Sequence, residues 1–518
     1  MTSITTSFTN YWDRHPLQTV MWLAVILRLV ATIFARGWGM LDDHFLVIEI
    51  AQSWIDGGNF NHWLPWDAEN EGPTGHSFFY AGLHYYLFRF LEWLHLTDPQ
   101  SKMLVVRALH SAWSLVVVYL GFRIAQRLAD VKAAWLTGLL LAAFWFMPWM
   151  SARNLVEVFA IPFLMISTWM LMNYERRQLA WLWILAAGFV AGIAFSVRFQ
   201  TILFAGGLGL VMLWRREIWQ ALLFGLGYLA AVALLQGLVD FIIWQQPFSE
   251  LTEYVRYNLE NRYGYLTGDW YNYLVLLFGF LIPPVSVFLL IGMFKHPRKF
   301  LLILLPTLIF LAFHSWFPNK QERFILTIVP FVITIGVPGW LAIMHSNNWL
   351  QRHRKWISGS WMFFLIINTV LLFAASTMYS KRAPVEAMSY LKKYPGIEAI
   401  VVDNSTRANV PLMPQFYLDQ WIEIYEVTTV HPVEILPRSM SFKDIEPDFI
   451  LFVRDEKLPQ RLEVMRDLFP DLAYETTAEP GFVDKVMHWL NPHNKNDRIT
   501  IYRNMGKKTG LSQQKSGQ

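Results

Sequence analysis

The chain has 518 residues, of which 54% are hydrophobic, 16% aromatic and only 16% charged, with a mean hydropathy of +0.31. Soluble domains carry about 25% charged residues, so this balance excludes an ordinary soluble enzyme and indicates a polytopic membrane protein. A formal net charge of +4 without basic clustering excludes a nucleic-acid-binding face, and the lack of cysteine excludes disulfides and thiolate metal sites.

Residues 1–16 are polar, with Arg14 and His15 ahead of the first apolar run. That run has neither a strongly basic leader nor a small-residue cleavage site, so it reads as a retained helix. A membrane span needs about 20 apolar residues. By that measure about eleven spans are predicted, at 17–35, 101–121, 133–150, 155–173, 180–197, 200–214, 217–241, 271–293, 299–315, 324–344 and 356–377. The stretch 200–214 is short and could tilt, break or re-enter.

Lys and Arg set the orientation through the short connections. Alternate loops are rich in them: Arg123, Arg127 and Lys132; Arg176 and Arg177; Arg215 and Arg216; Lys295, Arg298 and Lys299; Arg352, Arg354 and Lys355. These loops are expected on the cytoplasmic side. Asp42, Arg153, Arg198, the 245–270 loop, 314–323 and the C-terminal region then share the outer side.

One segment, 75–95, is apolar enough to span, but it carries His84, Arg89 and Glu92. At helical spacing Phe79, Leu83, Tyr86, Phe90 and Trp93 fall on one side, with His84, Glu92 and His95 on the other. It is therefore expected to lie in the headgroup plane. Residues 44–56 read similarly, with Leu46, Val47, Ile50 and Trp54 on one face. The first outer loop, 36–100, thus predicts two amphipathic helices around a polar turn at 57–75.

Beyond 377 the composition turns mixed and charged. Helices are predicted at Ala383–Tyr394 and Pro459–Phe469, and strands at Glu398–Val402, Trp421–Val427, Phe449–Val453 and Ile499–Tyr502. The domain organisation follows: a transmembrane domain at 1–380, a soluble extracytoplasmic α/β domain at 381–505, and a disordered tail at 506–518.

The chemistry-bearing residues gather on the predicted outer side. Asp42 and Asp43 stand just where the first span ends, and a carboxylate held there suits a general base working on a lipid-borne substrate. Capping of the following helix is the plainer role for one of them. His44 is a candidate substrate contact, against packing or capping. His314, Lys320, Glu322 and Arg323 lie between two spans, on the side where positive charge is disfavoured; a lipid phosphate would need such cations. Glu322 alternatively pairs with Arg323 or Lys320. Arg153 with Asn154 and Glu157, and Arg198 with Gln200, sit at the outer ends of their spans. Polar groups converging from several helices are better explained by a shared cavity than by separate anchors. Arg28, within the first span, is unassigned. Adjacent Asp42, Asp43 and His44 seldom complete a metal site, so no tight metal is expected, and a loosely bound divalent cation stays open. There is no phosphate-cradling glycine loop, nucleotide-binding fingerprint or serine triad, which favours a lipid-phosphate donor over a sugar nucleotide.

Three stretches resemble the GT-C superfamily of polyprenyl-phosphate-sugar-dependent glycosyltransferases, and within it family 22, the dolichyl-phosphate-mannose α-mannosyltransferases. They are Leu41-Asp42-Asp43-His44-Phe45, Gly192-Ile193-Ala194-Phe195-Ser196-Val197-Arg198-Phe199-Gln200-Thr201, and Asn319-Lys320-Gln321-Glu322-Arg323-Phe324 with Pro330 beyond. The likeness spans roughly 17–345. It departs at Leu41 and Phe199, where proline is usual, at Asp43 and Gln321, where glutamate is usual, and at Asn319 in place of histidine. The resemblance implies an inverting transfer without a tightly bound metal, with Asp42 as base, Asp43 orienting acceptor or base, and Lys320 and Arg323 holding donor phosphate. A hexose, mannose first, would pass from a polyprenyl-phosphate donor to a glycan or glycolipid acceptor on the outer face. Without a dilysine C-terminus and with an added outer domain, a bacterial inner membrane with a periplasm-facing site is expected, or the ER membrane in a eukaryote. Two rivals stand beside this. One is a transporter or lipid flippase; the other is an aminosugar or protein O-mannosyl transferase on the same architecture.

Overall fold

The computed structural model describes residues 14–58, 72–73, 75–264, 266–491 and 497–507. Most of the predicted turn 57–75 and of the tail 506–518 lies outside the described residues. The chain forms two compact units, one of Gly39–Phe90 and Leu104–Thr377 with the residues up to Ala35, the other of Arg36–Trp38, Leu91–Met103 and Met378 onward.

The first unit is helical. Its labelled helices are α1 (Pro16–Phe34), α2 (Phe78–Trp93), α3 (Pro99–Leu128), α4 (Val131–Ala143), α5 (Val156–Asn173), α6 (Ala180–Val197), α7 (Ile202–Trp214) and α8 (Ile218–Val232), with the end of α2 and the start of α3 (Leu91–Met103) counted in the second unit. They continue with α9 (Ser249–Glu260), α10 (Asn272–Phe280), α11 (Val285–Gly292), α12 (Pro297–Trp316), α13 (Val329–Ser346) and α14 (Arg354–Thr377). Among the described residues, eight helices are long and apolar enough to cross a membrane. The predicted spans 133–150 and 200–214 are shorter apolar helices, Val131–Ala143 and Phe199–Trp214. The predicted span 271–293 is the pair α10 and α11, bent by 119°: a broken span or a re-entrant loop. The bend falls at Pro283 and Pro284, which remove two backbone donors in succession.

Helix α2 has 16 residues, fewer than a span requires. Leu83, Tyr86, Phe90 and Trp93 are exposed on it while His84 is buried. The core is centred on α13, whose residues from Val329 to Trp340 are all buried. Close helix crossings rest on glycine, because lipid gives no hydrophobic drive between helices and backbones must approach directly. A Cβ on Gly339 would lie 1.8 Å from the Gly292 carbonyl oxygen, and one on Gly227 would lie 1.9 Å from that of Leu185.

The second unit is an α/β domain with α15 (Arg382–Leu391), α16 (Leu458–Leu468) and α17 (Phe482–Leu490), and strands β1 (Ala399–Asp403), β2 (Glu423–Val427), β3 (Phe449–Val453), β4 (Leu472–Ala478) and β5 (Ile499–Asn504). The sheet order is β2-β1-β3-β5-β4. Strands β1, β2 and β3 run parallel, while β5 is antiparallel to β3 and β4. β1 and β3 are buried throughout, as central parallel strands must be. At the end of β1, Asp403 pairs with Arg461 at 2.8 Å, and Arg461 also donates to the Val453, Arg454 and Glu456 carbonyls. Strand β4 and helix α17 were not predicted: β4 reads Leu-Ala-Tyr-Glu-Thr-Thr-Ala and is buried chiefly at its ends.

Candidate active site

The first acidic residue past α1 opens a short helix, Leu41–Asp43, that passes into a π-helix at His44–Glu49. Asp42 is half-exposed there, with 39% of its side chain accessible, whereas Asp43 is buried. The two therefore do different work. Asp43 accepts from the Val156 N–H at 3.2 Å through Oδ1, and its own carbonyl accepts from Asn154 at 2.9 Å. That carboxylate sits at the N-terminus of α5, where unpaired N–H groups and the helix dipole favour negative charge.

Arg323 joins the segments. It donates to Asp42 through Nη2 and lies 3.9 Å from Asp43 and 3.6 Å from Glu157. A second cation, Arg198, meets Glu157 at 3.0 Å. Both guanidinium groups lie over the Phe324 ring, at 5.5 Å for Arg198 and 5.8 Å for Arg323. Gln321 and Gln200 steady them, accepting from Arg323 Nε at 2.9 Å and Arg198 Nε at 3.3 Å. Three carboxylates and two cations from four separate stretches thus form one cluster.

The electrostatics divide the acidic pair. Burial alone would raise the Asp42 carboxyl, but the Arg323 charge and hydrogen bond, with His76 and Arg198 behind them, hold it below the usual carboxylate range. Burial and the neighbouring Glu157 push Asp43 well above that range, against the pull of Arg323. Two carboxyls whose surroundings drive them apart are the usual basis for unlike acid–base roles. Arg323, although desolvated, is held charged by Glu157, Asp42 and Asp43.

The other predicted residues are placed as follows. His44 is buried, faces Glu49 at 3.7 Å, and is pushed down to about 3 by burial. Arg153 is buried against Trp149, 5.4 Å from the ring centroid. Asn154 bridges Asp43 to Tyr80, whose hydroxyl donates to it at 2.8 Å, so it positions the acidic turn. Lys320 donates to the His314 and Ser315 carbonyls, each at 2.7 Å, and to that of Phe317. Its ammonium therefore caps the C-terminal end of α12. His314 stacks on Phe310 with ring centroids 4.3 Å apart; its Nδ1 is 2.8 Å from the Phe310 carbonyl, while Nε2 is buried without a hydrogen-bond partner among the described residues. Glu322 is exposed and, among the described residues, makes no ion pair with Lys320 or Arg323. Arg28 is buried within the bundle, donating to Ser114 at 2.7 Å and to the Ala142 and Leu141 carbonyls at 3.3 Å.

His76 was missed as a site residue. It lies in the turn before α2 and interacts electrostatically with Asp42, Arg198, Arg323 and Glu157, and burial pushes it down to about 4. Its only sequence signal was the Gly75-His76-Ser77 turn. Beside the cluster, a groove of about 550 Å³ is lined by Trp145, Tyr271, Tyr273, Val275, Leu276 and Phe280, with Lys320, Gln321 and Glu322 at its wall. Among the described residues, no grouping of three or more His, Asp or Glu is placed to hold a metal ion.

A polytopic helical bundle with an acidic corner after its first span and a small α/β domain behind its last is the architecture of a GT-C membrane glycosyltransferase. The sequence profile of the Alg9-like mannosyltransferase family matches residues 19–417. The chain belongs to that family and is a glycosyltransferase. Comparison with curated proteins finds no match. Among solved structures, ArnT from Cupriavidus metallidurans bound to undecaprenyl phosphate is similar at a TM-score of 0.62 and 13% identity, over 95% of this chain and 98% of that one. The archaeal oligosaccharyltransferase AglB from Archaeoglobus fulgidus, in complex with an inhibitory peptide and a dolichol-phosphate, is similar at a TM-score of 0.50 and 12% identity, over 86% of this chain and 70% of that one. The GT-C fold is common ground with both, and the transporter reading gives way to the family membership.

Proposed function

We propose that this enzyme moves a hexose, mannose first among candidates, from a polyprenyl-phosphate donor to a glycan or glycolipid acceptor at the outer membrane face, with inversion. The observation that carries the reading is Arg323 gathering Asp42, Asp43 and Glu157 beside an aromatic groove. Asp42, ionised and exposed, takes the acceptor hydroxyl proton. The acceptor oxygen attacks the anomeric carbon opposite the phosphate; the bond to the phosphate oxygen breaks, and its electron pair leaves with the polyprenyl phosphate. Arg198 and Arg323 meet that charge, and Arg323 can do so by turning from Asp42, which then becomes a stronger base. Lys320 lends its charge to the groove wall while its N–H groups hold the end of α12, and the groove suits the first isoprene units. Asp43, buried and accepting from the Val156 N–H, fixes the turn. His44, Arg153, Asn154 and His314 pack behind the site and support it, while Glu322 stands at the groove wall toward the donor.

The lipid phosphates in the two similar structures support this donor class, and the family's description supports mannose. A periplasm-facing site in a bacterial inner membrane fits the loop charges. The test is incubation of the purified enzyme with polyprenyl-phosphate hexoses and, separately, sugar nucleotides. Product from the lipid-phosphate donors alone, of inverted anomeric configuration, is expected. Transfer from a sugar nucleotide, or retention of configuration, would overturn the reading.

A further inference from the structure

Among the described residues, nothing covers the apolar face of helix α17. Phe482, Trp489 and Leu490 are 80%, 79% and 63% exposed, and Val486 is 38% exposed. At 100° per residue these four share one side of the helix, and Asp484, on the opposite side, is buried in the domain. Soluble surfaces seldom carry two such aromatic rings on one short helix.

Its position supplies the occupant. Helix α14 ends at Thr377, and within the second unit the residues just beyond it gather other span ends. The Ser380 N–H donates to the Arg36 carbonyl at 3.0 Å, two residues past the end of α1. Gln100, in the first turn of α3, donates to the Tyr379 hydroxyl at 3.4 Å. The start of α17 is at the same place: a Cβ on Gly481 would lie 3.6 Å from the Tyr379 carbonyl oxygen. The helix therefore begins beside Tyr379, two residues along the chain from the end of α14. Lys485 stands at the edge of the apolar face, 57% exposed and 3.3 Å from Glu479, as a cation at a headgroup layer does.

We infer that α17 is a membrane-surface anchor, with Phe482, Val486, Trp489 and Leu490 seated at the boundary of headgroups and acyl chains. Aromatic and leucine side chains on one face, with a flanking lysine, match the chemistry of that layer. The anchor tethers the α/β domain to the leaflet its spans emerge from, independently of the transfer reaction.

The chain has no cysteine, so single labels are clean. Val486→Cys, Leu490→Cys and, as a control on the exposed side of α16, Glu463→Cys would carry an environment-sensitive fluorophore on the full-length protein in nanodiscs of phosphatidylethanolamine and phosphatidylglycerol. Lipids bearing a nitroxide near the headgroup should quench the labels at 486 and 490 several-fold more than the label at 463, and iodide should quench them less. Adding Phe482→Glu and Trp489→Glu should abolish that lipid quenching without changing transfer activity. Equal iodide access at all three sites would overturn the proposal. So would protection from iodide without lipid quenching, which would mean that a protein or a second copy covers the face. Loss of glycosyl transfer in an otherwise intact protein has no bearing on either quenching result.

Discussion

Replacing Arg323 with glutamine removes the group that holds the cluster together, and the structure fixes what that costs. Glu157 is fully buried and Asp43 nearly so, at 0% and 4% side-chain exposure. Stranding buried carboxylates by removing their partner costs about 3–5 kcal/mol, with Arg198 limiting the loss at Glu157. Asp42 is more than a third exposed, so water screens it and its share is small. Arg323→Gln should thus lower the melting temperature in detergent yet leave a folded protein. If Arg323 also meets the leaving phosphate, kcat should fall by about 10²–10³, the usual loss for one donor to a developing charge. The pH profile adds a second readout. Transfer needs ionised Asp42, so the rate of the wild type falls as pH drops through a carboxyl held low by Arg323. Without Arg323 only the weaker pull of His76 and Arg198 opposes burial, and the acid limb should move to higher pH. Arg323→Lys should restore part of the stability and less of the rate, since lysine cannot bridge two oxygens in a plane. A glutamine variant with kcat within about threefold of wild type and an unmoved acid limb would refute this account of the cluster.

Asn154→Ala should remove the links to the Asp43 carbonyl and the Tyr80 hydroxyl, leaving buried polar groups that cost about 1–3 kcal/mol; thermal melting and kcat should both fall, with KM little changed. In the α/β domain, Arg461→Met should strand buried Asp403 and cost about 3–5 kcal/mol, read as earlier proteolysis between residues 378 and 507 than within the helical unit. Gly339→Ala should force α13 off the Gly292 carbonyl and cost about 1–3 kcal/mol by overpacking, checked by melting in detergent.

The acidic corner was legible because charge sidedness in short loops is a long-range signal: it put Asp42 and Arg323, 281 residues apart, on one face before any contact was known. Glu157 was legible only as an end-of-span polar group, since nothing local says that a carboxylate in the first turn of a helix will be buried between two arginines. His76 sits in a turn whose neighbours come from other segments, and sequence spacing carries no trace of them. Lys320 looked free to bind phosphate because sequence shows charge and not satisfaction; its three carbonyl partners come from the end of α12, which a boundary uncertain by two residues conceals. The bend within the predicted span 271–293, at Pro283 and Pro284, was not read from the sequence, because apolarity was weighed ahead of backbone chemistry. The parallel strands β1 and β3 were visible as short apolar runs, whereas β4 is largely polar and its pairing with β5 is non-local.

The most direct test of the central claim is single-turnover transfer from a polyprenyl-phosphate mannose by Asp42→Asn, measured beside donor binding. The account predicts donor bound about as tightly as by the wild type and transfer slowed by roughly 10²–10⁴, the contribution of a positioned base. Transfer at a near-normal rate would show that the proton leaves by another route.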